Sequence, residues 1–151
     1  MGVTYKARDI ANWFIKTGKS NNNCLTHAQL QKLVYYSHAW NLAYHDEALI
    51  KEPIEAWMYG PVVCDMYHEL KRTNGAPLKK ELEDAKQICG SKVNLLQAVY
   101  NKYAHLSGGA LIQRTHAKDS PWSKVYQPYV YNKIIPNSLI KSHFDKYVKK
   151  A

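Results

Sequence analysis

A chain of 151 residues, with 46% apolar and 22% charged side chains interleaved along it, suits one domain with one core and excludes global disorder. No apolar run approaches the roughly 20 residues that cross a bilayer, and Met1 to Asp9 lack the apolar stretch of a secretory signal, so the chain reads as cytoplasmic with no membrane role. The formal charge of +9 is uneven: from Lys102 to Ala151 nine Lys and Arg face only Asp119 and Asp145, which points either to an acidic partner or to a solvated basic surface.

Ala7, Ile10, Ala11 and Phe14 fall at helical spacing, with Lys6, Asp9, Asn12 and Lys16 elsewhere around the wheel, and predict an amphipathic helix ending near Gly18. Asn21 to Asn23 read as a loop, and Thr26 with Gln29 forms a capping-box signature. The helix that follows carries Leu30, Leu33, Val34, Ser37, Trp40 and Tyr44 on one side and Tyr35, Tyr36, Ala39, Leu42 and Ala43 on others. A helix apolar on most sides is a central one. Trp40 is expected in its core, where truncation to alanine costs about 3–5 kcal/mol.

From Leu49 to Tyr59 the period changes to two, and Leu49-Ile50 with Ile54–Met58 predict a small hairpin stopped by Gly60-Pro61. Pro61 is placed to open a helix bearing Val62, Val63, Met66, Tyr67 and Leu70, with Gly75 just past its end. The charged stretch Ala76 to Gly90 reads as a loop with at most a short helical turn. Leu96, Val99, Tyr103 and Leu106 mark the next helix, Ser107 caps a short one through Ala110 to Thr115, and Ser120-Pro121 starts another. Tyr126 to Tyr131 read as a loop. The last helix buries Ile140, Phe144 and Val148 and presents Lys141, Lys146, Lys149 and Lys150. The sum is a mainly α fold: an irregular helical bundle over residues 1–151, a single domain with a small two-stranded β element around residues 49–59.

Catalytic constellations are weak. Cys64 and His68 share a helical face, but activated cysteines usually meet their histidine from a distant part of the chain. His38 and His45 lack a third ligand in register, and a hydrogen-bonded core His38 is the plainer expectation. His116 and Asp119 precede Ser120-Pro121, where capping explains the polar residues. Three widely separated cysteines, Cys24, Cys64 and Cys89, imply buried or half-buried free thiols rather than a disulfide or zinc framework. Neither an enzyme nor a cofactor or metal site is expected.

Twelve Tyr and four Trp against two Phe give aromatic surface that keeps a polar handle, the chemistry of interface hot spots. Trp57, Tyr59, Tyr67, His116, Trp122, Tyr126, Tyr129 and Tyr131 are the residues expected on a protein-contact face.

Three stretches resemble a known family. They are Leu30-Gln-Lys-Leu-Val-Tyr-Tyr-Ser-His-Ala-Trp40, Glu52-Pro-Ile-Glu-Ala-Trp-Met-Tyr-Gly-Pro-Val62 running on to Tyr67 and Leu70, and Tyr103-Ala-His-Leu-Ser-Gly108 with Thr115-His116 and Ser120-Pro-Trp122. Together they are similar to the Panacea domain of SocA-like antitoxins and GepA-like phage-associated proteins, with Ala104 where relatives often carry glycine. The resemblance implies a bacterial or phage protein that neutralises a toxin encoded beside it by direct binding, in some members as an adaptor that delivers the toxin to a protease. The alternative is a nucleic-acid-binding phage accessory protein, in which the basic carboxyl-terminal third, with Lys124 and the aromatics through Tyr131, stacks single-stranded bases.

Overall fold

The computed structural model describes residues 4–148. Seven α-helices and one two-stranded sheet order them: α1 (Ala7–Ser20), α2 (His27–His45), β1 (Glu55–Trp57), β2 (Gly60–Val62), α3 (Cys64–Leu70), α4 (Ser91–Tyr103), α5 (Gly108–Thr115), α6 (Pro121–Val125) and α7 (Asn137–Asp145). A 3-10 turn, Lys71–Thr73, extends α3. This is the mainly α architecture the periodicities predict.

The central helix is α2. It touches α1, α3, α4, α5, α7 and β2, and Leu30, Leu33, Val34, Tyr35, Tyr36, Ala39 and Leu42 are all buried on it. Its start follows the predicted capping box: the Gln29 backbone N–H donates to Thr26 Oγ1 (3.3 Å), and the Thr26 N–H donates to Gln29 Oε1 (2.9 Å). Ser107 and Ser120 cap α5 and α6 as expected, accepting from the backbone of Ala110 and Ser123 at 3.1 Å each. Ala104 closes α4 at φ −68°, a right-handed conformation that needs no glycine.

Several expectations change. Asp9 and Asn12, placed by polarity on the solvent side of α1, are buried. Asp9 Oδ1 accepts from the Lys86 N–H (2.8 Å) and Asn12 Oδ1 from the Leu82 N–H (2.8 Å), so these carboxylate and amide groups replace water for a loop that has no ladder of its own. That loop, 76–90, also inserts Leu78, Leu82 and Ile88 into the core.

The hairpin is shifted by one strand. Leu49-Ile50 pairs with Tyr5 instead, through Tyr5 N–H to Leu49 C=O and Lys51 N–H to Tyr5 C=O, both 2.9 Å. The partner of β1 is β2, antiparallel, with Glu55 opposite Val62, Ala56 opposite Pro61 and Trp57 opposite Gly60. Met58 and Tyr59 are the connecting residues. Pro61 therefore sits in a strand rather than opening a helix, and α3 begins at Cys64. The register explains why proline is tolerated. The Ala56 N–H points the other way, to Lys133 C=O (2.8 Å), so Ala56 and Pro61 face each other at a non-hydrogen-bonded pair where no N–H is missed.

Trp40 is half-buried rather than fully buried; its indole N–H donates to Tyr103 Oη (2.9 Å) and its ring packs edge-on against Phe144 at 4.9 Å. Val148 lies beyond α7 and is half-buried, and Lys149 and Lys150 lie outside the described residues.

Candidate contact face

Polar side chains of α2 hold the hairpin in place. Gln31 acts as a substitute strand for Val63, accepting its N–H at Oε1 (2.9 Å) and donating Nε2 to its carbonyl (3.3 Å). The same amide nitrogen lies 3.1 Å from His27 Nε2. Lys32, 2% exposed, donates Nζ to the Pro61 carbonyl at 3.3 Å, with no carboxylate within ion-pair reach among the described residues. Burial pushes its pKa down from 10.5 to about 7. Burial, followed by the charge of Lys32, takes His27 down to about 4. His38 is the hydrogen-bonded core histidine expected: Nδ1 accepts from the Leu49 and Ile50 N–H groups at 3.2 and 3.3 Å, and Nε2 meets Asn137 Oδ1 at 2.9 Å.

On this base the structure assembles most of the predicted aromatics. The Trp57 ring lies 4.9 Å from Tyr67 and 6.3 Å from Tyr131, and its indole N–H donates to Glu55 Oε1 (2.9 Å). Behind it, His116, Trp122 and Tyr126 form a stack, with centroids 3.8 and 4.6 Å apart and rings within 15° of parallel. Trp122 is 9% exposed and donates Nε1 to the Trp57 carbonyl (2.6 Å), so it props β1 from behind while Tyr59, at 66%, faces solvent. Segment 133–135 completes the support, with Ile135 N–H donating to Ile54 C=O at 2.8 Å. Tyr129, 85% exposed at φ +65°, stands on the loop between the stack and that segment.

The exposed large apolar side chains here are Met58, Tyr59, Tyr129, Tyr131 and Ile134, around one hairpin and the loop against it. Sequence reasoning did not single out Met58 or Ile134; a period of two groups Met58 with Ile54 and Ala56, both buried, and the turn at 58–59 breaks that grouping.

The enzyme-like constellations gain little. Burial first, then Glu55 and Asp65, push the Cys64 thiol up, away from the reactive thiolate, and His68 is exposed. Burial lowers the pKa of His116, Lys32 lowers it further, and a hydrogen bond with the Met58 backbone opposes them. No ion pair joins His116 to Asp119, and no cluster of three metal-ligating side chains occurs, among the described residues. Cys24 and Cys64 are half-buried as expected, whereas Cys89 is exposed, because it lies on the polar rim of the 76–90 loop. No helix among the described residues is long and apolar enough to cross a membrane.

The family model described as "Antitoxin SocA-like, Panacea domain" matches residues 30–123, a span that runs from the first turn of α2 into α6. No curated protein and no solved structure matches the chain.

Proposed function

The chain belongs to the SocA-like antitoxin, Panacea-domain family, and on that premise we propose that it is a protein-binding module that neutralises a toxin encoded beside it by occupying the toxin's surface with the hairpin face. The observation that carries this reading is the concentration of exposed Met58 and Tyr59 on the hairpin turn with Tyr131 and Ile134 on the segment paired against β1. Apolar and aromatic groups held rigidly in water have no folding purpose there, and they cover a partner at low entropic cost. Delivery of the bound toxin to a protease is a second step the same face would serve. A bacterial or phage cytoplasm is the setting this role fits.

The test is co-expression with the product of the neighbouring reading frame. Wild-type protein should restore growth and co-purify with that product. The pair Tyr59→Ala and Tyr131→Ala should leave the melting temperature within about 2 °C, as expected of surface changes. It should weaken the complex by at least about thirtyfold, the scale of a lost hot spot. Full rescue of growth by the double variant, with unchanged affinity, would remove the hairpin from the contact. An interaction that instead went to single-stranded nucleic acid and fell steeply with salt would favour the basic carboxyl-terminal third.

A further inference from the structure

A second site lies on the other side of the 115–122 segment. Trp122 props the hairpin with His116 stacked on it, whereas Ser120 and Pro121 line a cavity of about 520 Å³ between α2, α4, α5 and α7. That volume is in the range of sites that enclose small ligands or a few side chains. Its floor is aromatic and aliphatic: Tyr36 stacks on Tyr103 at 4.1 Å and 9°, and Trp40, Val99 and Phe144 complete it.

Its charge is one-signed. Lys102, Arg114 and Lys118 line it, and no Asp or Glu does. None of the three has a carboxylate within 4 Å among the described residues. Lys102 is instead held over the Trp40 ring at 5.0 Å and the Tyr103 ring at 5.5 Å, a cation–π arrangement against two of the cavity's lining rings. The phenols of Tyr35, Tyr36 and Tyr103 belong to the same cavity. Burial raises all three, so they stay protonated and available as donors, and Arg114 is near enough to act electrostatically on Tyr36 and Tyr103. Apolar walls, phenol donors and cations without a carboxylate partner among the described residues, all lining one cavity, are complementary to an apolar body that carries an anion.

We propose that this cavity is a docking site for an internal segment of a partner protein in which a glutamate or aspartate is flanked by aromatic or aliphatic side chains, the carboxylate meeting Arg114 and Lys102 and the apolar neighbours filling the floor. The site is separate from the hairpin face and takes from the protein-binding reading only the source of the segment.

The test is calorimetric titration of the full chain with the probe peptide acetyl-Leu-Phe-Glu-Leu-amide and with its isostere carrying Gln for Glu. The glutamate peptide should bind saturably, shift the Trp40 indole N–H resonance and weaken as salt rises. The Gln isostere should lose about tenfold or more, the scale of one charge-assisted hydrogen bond. Arg114→Gln should lose the glutamate preference, and Lys102→Gln should reduce it, with unchanged melting temperatures. Tyr59→Ala should bind the peptide like wild type, which keeps failure of this site distinct from failure of the hairpin face. No binding at millimolar peptide, equal binding of the two peptides, or an unchanged preference in Arg114→Gln would overturn the proposal. Tighter binding of acetyl-Leu-Phe with a free carboxylate than of the glutamate peptide would overturn the internal-segment source.

Discussion

Lys32→Met isolates the energetic cost of the buried lysine behind the hairpin. The side chain is 2% exposed, has one hydrogen bond to the Pro61 carbonyl, and its pKa falls from 10.5 to about 7. A lysine whose folded pKa lies below its unfolded value opposes folding wherever the unfolded chain holds the extra proton. The opposition is full below about pH 7 and fades as pH rises toward 10.5. Linkage puts it at about 4 kcal/mol at pH 7 and about 2 kcal/mol at pH 9, so the wild type should gain about 2 kcal/mol across that interval. Few other shifted groups interfere in this window. The lowered histidines, His27, His38, His116 and His143, act mainly at lower pH, and the raised phenols of Tyr35, Tyr36 and Tyr103 above it, while the raised Cys64 thiol enters only at the top of the window and does so in both proteins. Urea unfolding at pH 7, 8 and 9 and fixed ionic strength reads the slope. Lys32→Met leaves the Pro61 carbonyl short of a partner, an offset of about 1–3 kcal/mol that does not vary with pH, so the comparison is of slopes. Parallel slopes for the two proteins would refute the reasoning and mean that Lys32 keeps its proton, solvated, in the folded state.

Gly60→Ala should destabilise by about 1–3 kcal/mol, because φ is +111° and the new Cβ would lie 2.7 Å from Thr115 Oγ1 and 2.8 Å from Lys32 Cε; the urea midpoint measures it. His27→Gln should flatten the acid limb: the folded pKa of about 4 lies below the unfolded 6.5, so wild-type stability is lost as pH falls from 6.5 through 4, and Tm against pH shows the difference. Trp40→Ala should weaken the fold by about 3 kcal/mol without abolishing it, since the ring is half-buried, and an unchanged Tm would contradict its packing on Phe144.

What the sequence makes legible is local chemistry. The capping box at Thr26, the serine caps at Ser107 and Ser120, and the all-round apolar surface of α2 each depend on residues a few positions apart, and each was placed correctly. Strand pairing is not local. Alternation marks 54–58 as a strand but is silent on its partner, and Pro61 carries a helix-start signal unless the register is known. Polarity misplaced Asp9 and Asn12 for a related reason: their partners, Lys86 and Leu82, are more than sixty residues away. Within the candidate face, the aromatic excess singled out residues that the fold gathers around the hairpin, while the difference between Trp122 as a prop and Tyr59 as an exposed group required the fold. The cavity was invisible because its cations and the phenols of Tyr35, Tyr36 and Tyr103 come from three helices and the loop after α5.

The polar residues hidden in α2 account for how so small a sheet becomes a rigid surface. Two three-residue strands are marginal by themselves. Here Gln31 holds Val63, Lys32 holds Pro61 and His38 holds Leu49 and Ile50, so one helix face fixes the whole stretch that leads into and out of the hairpin. On the proposed reading, the ordering cost of the face is met during folding and would not recur on docking of a partner. Substitutions should therefore divide by depth. Tyr59→Ala removes contact area from a frame that stays in place, and affinity falls while stability holds. Gly60→Ala disturbs the frame against Lys32 and Thr115, and stability and affinity should fall together. A Gly60→Ala protein that lost stability yet bound its partner at wild-type strength would show that the hairpin is not the surface the partner uses.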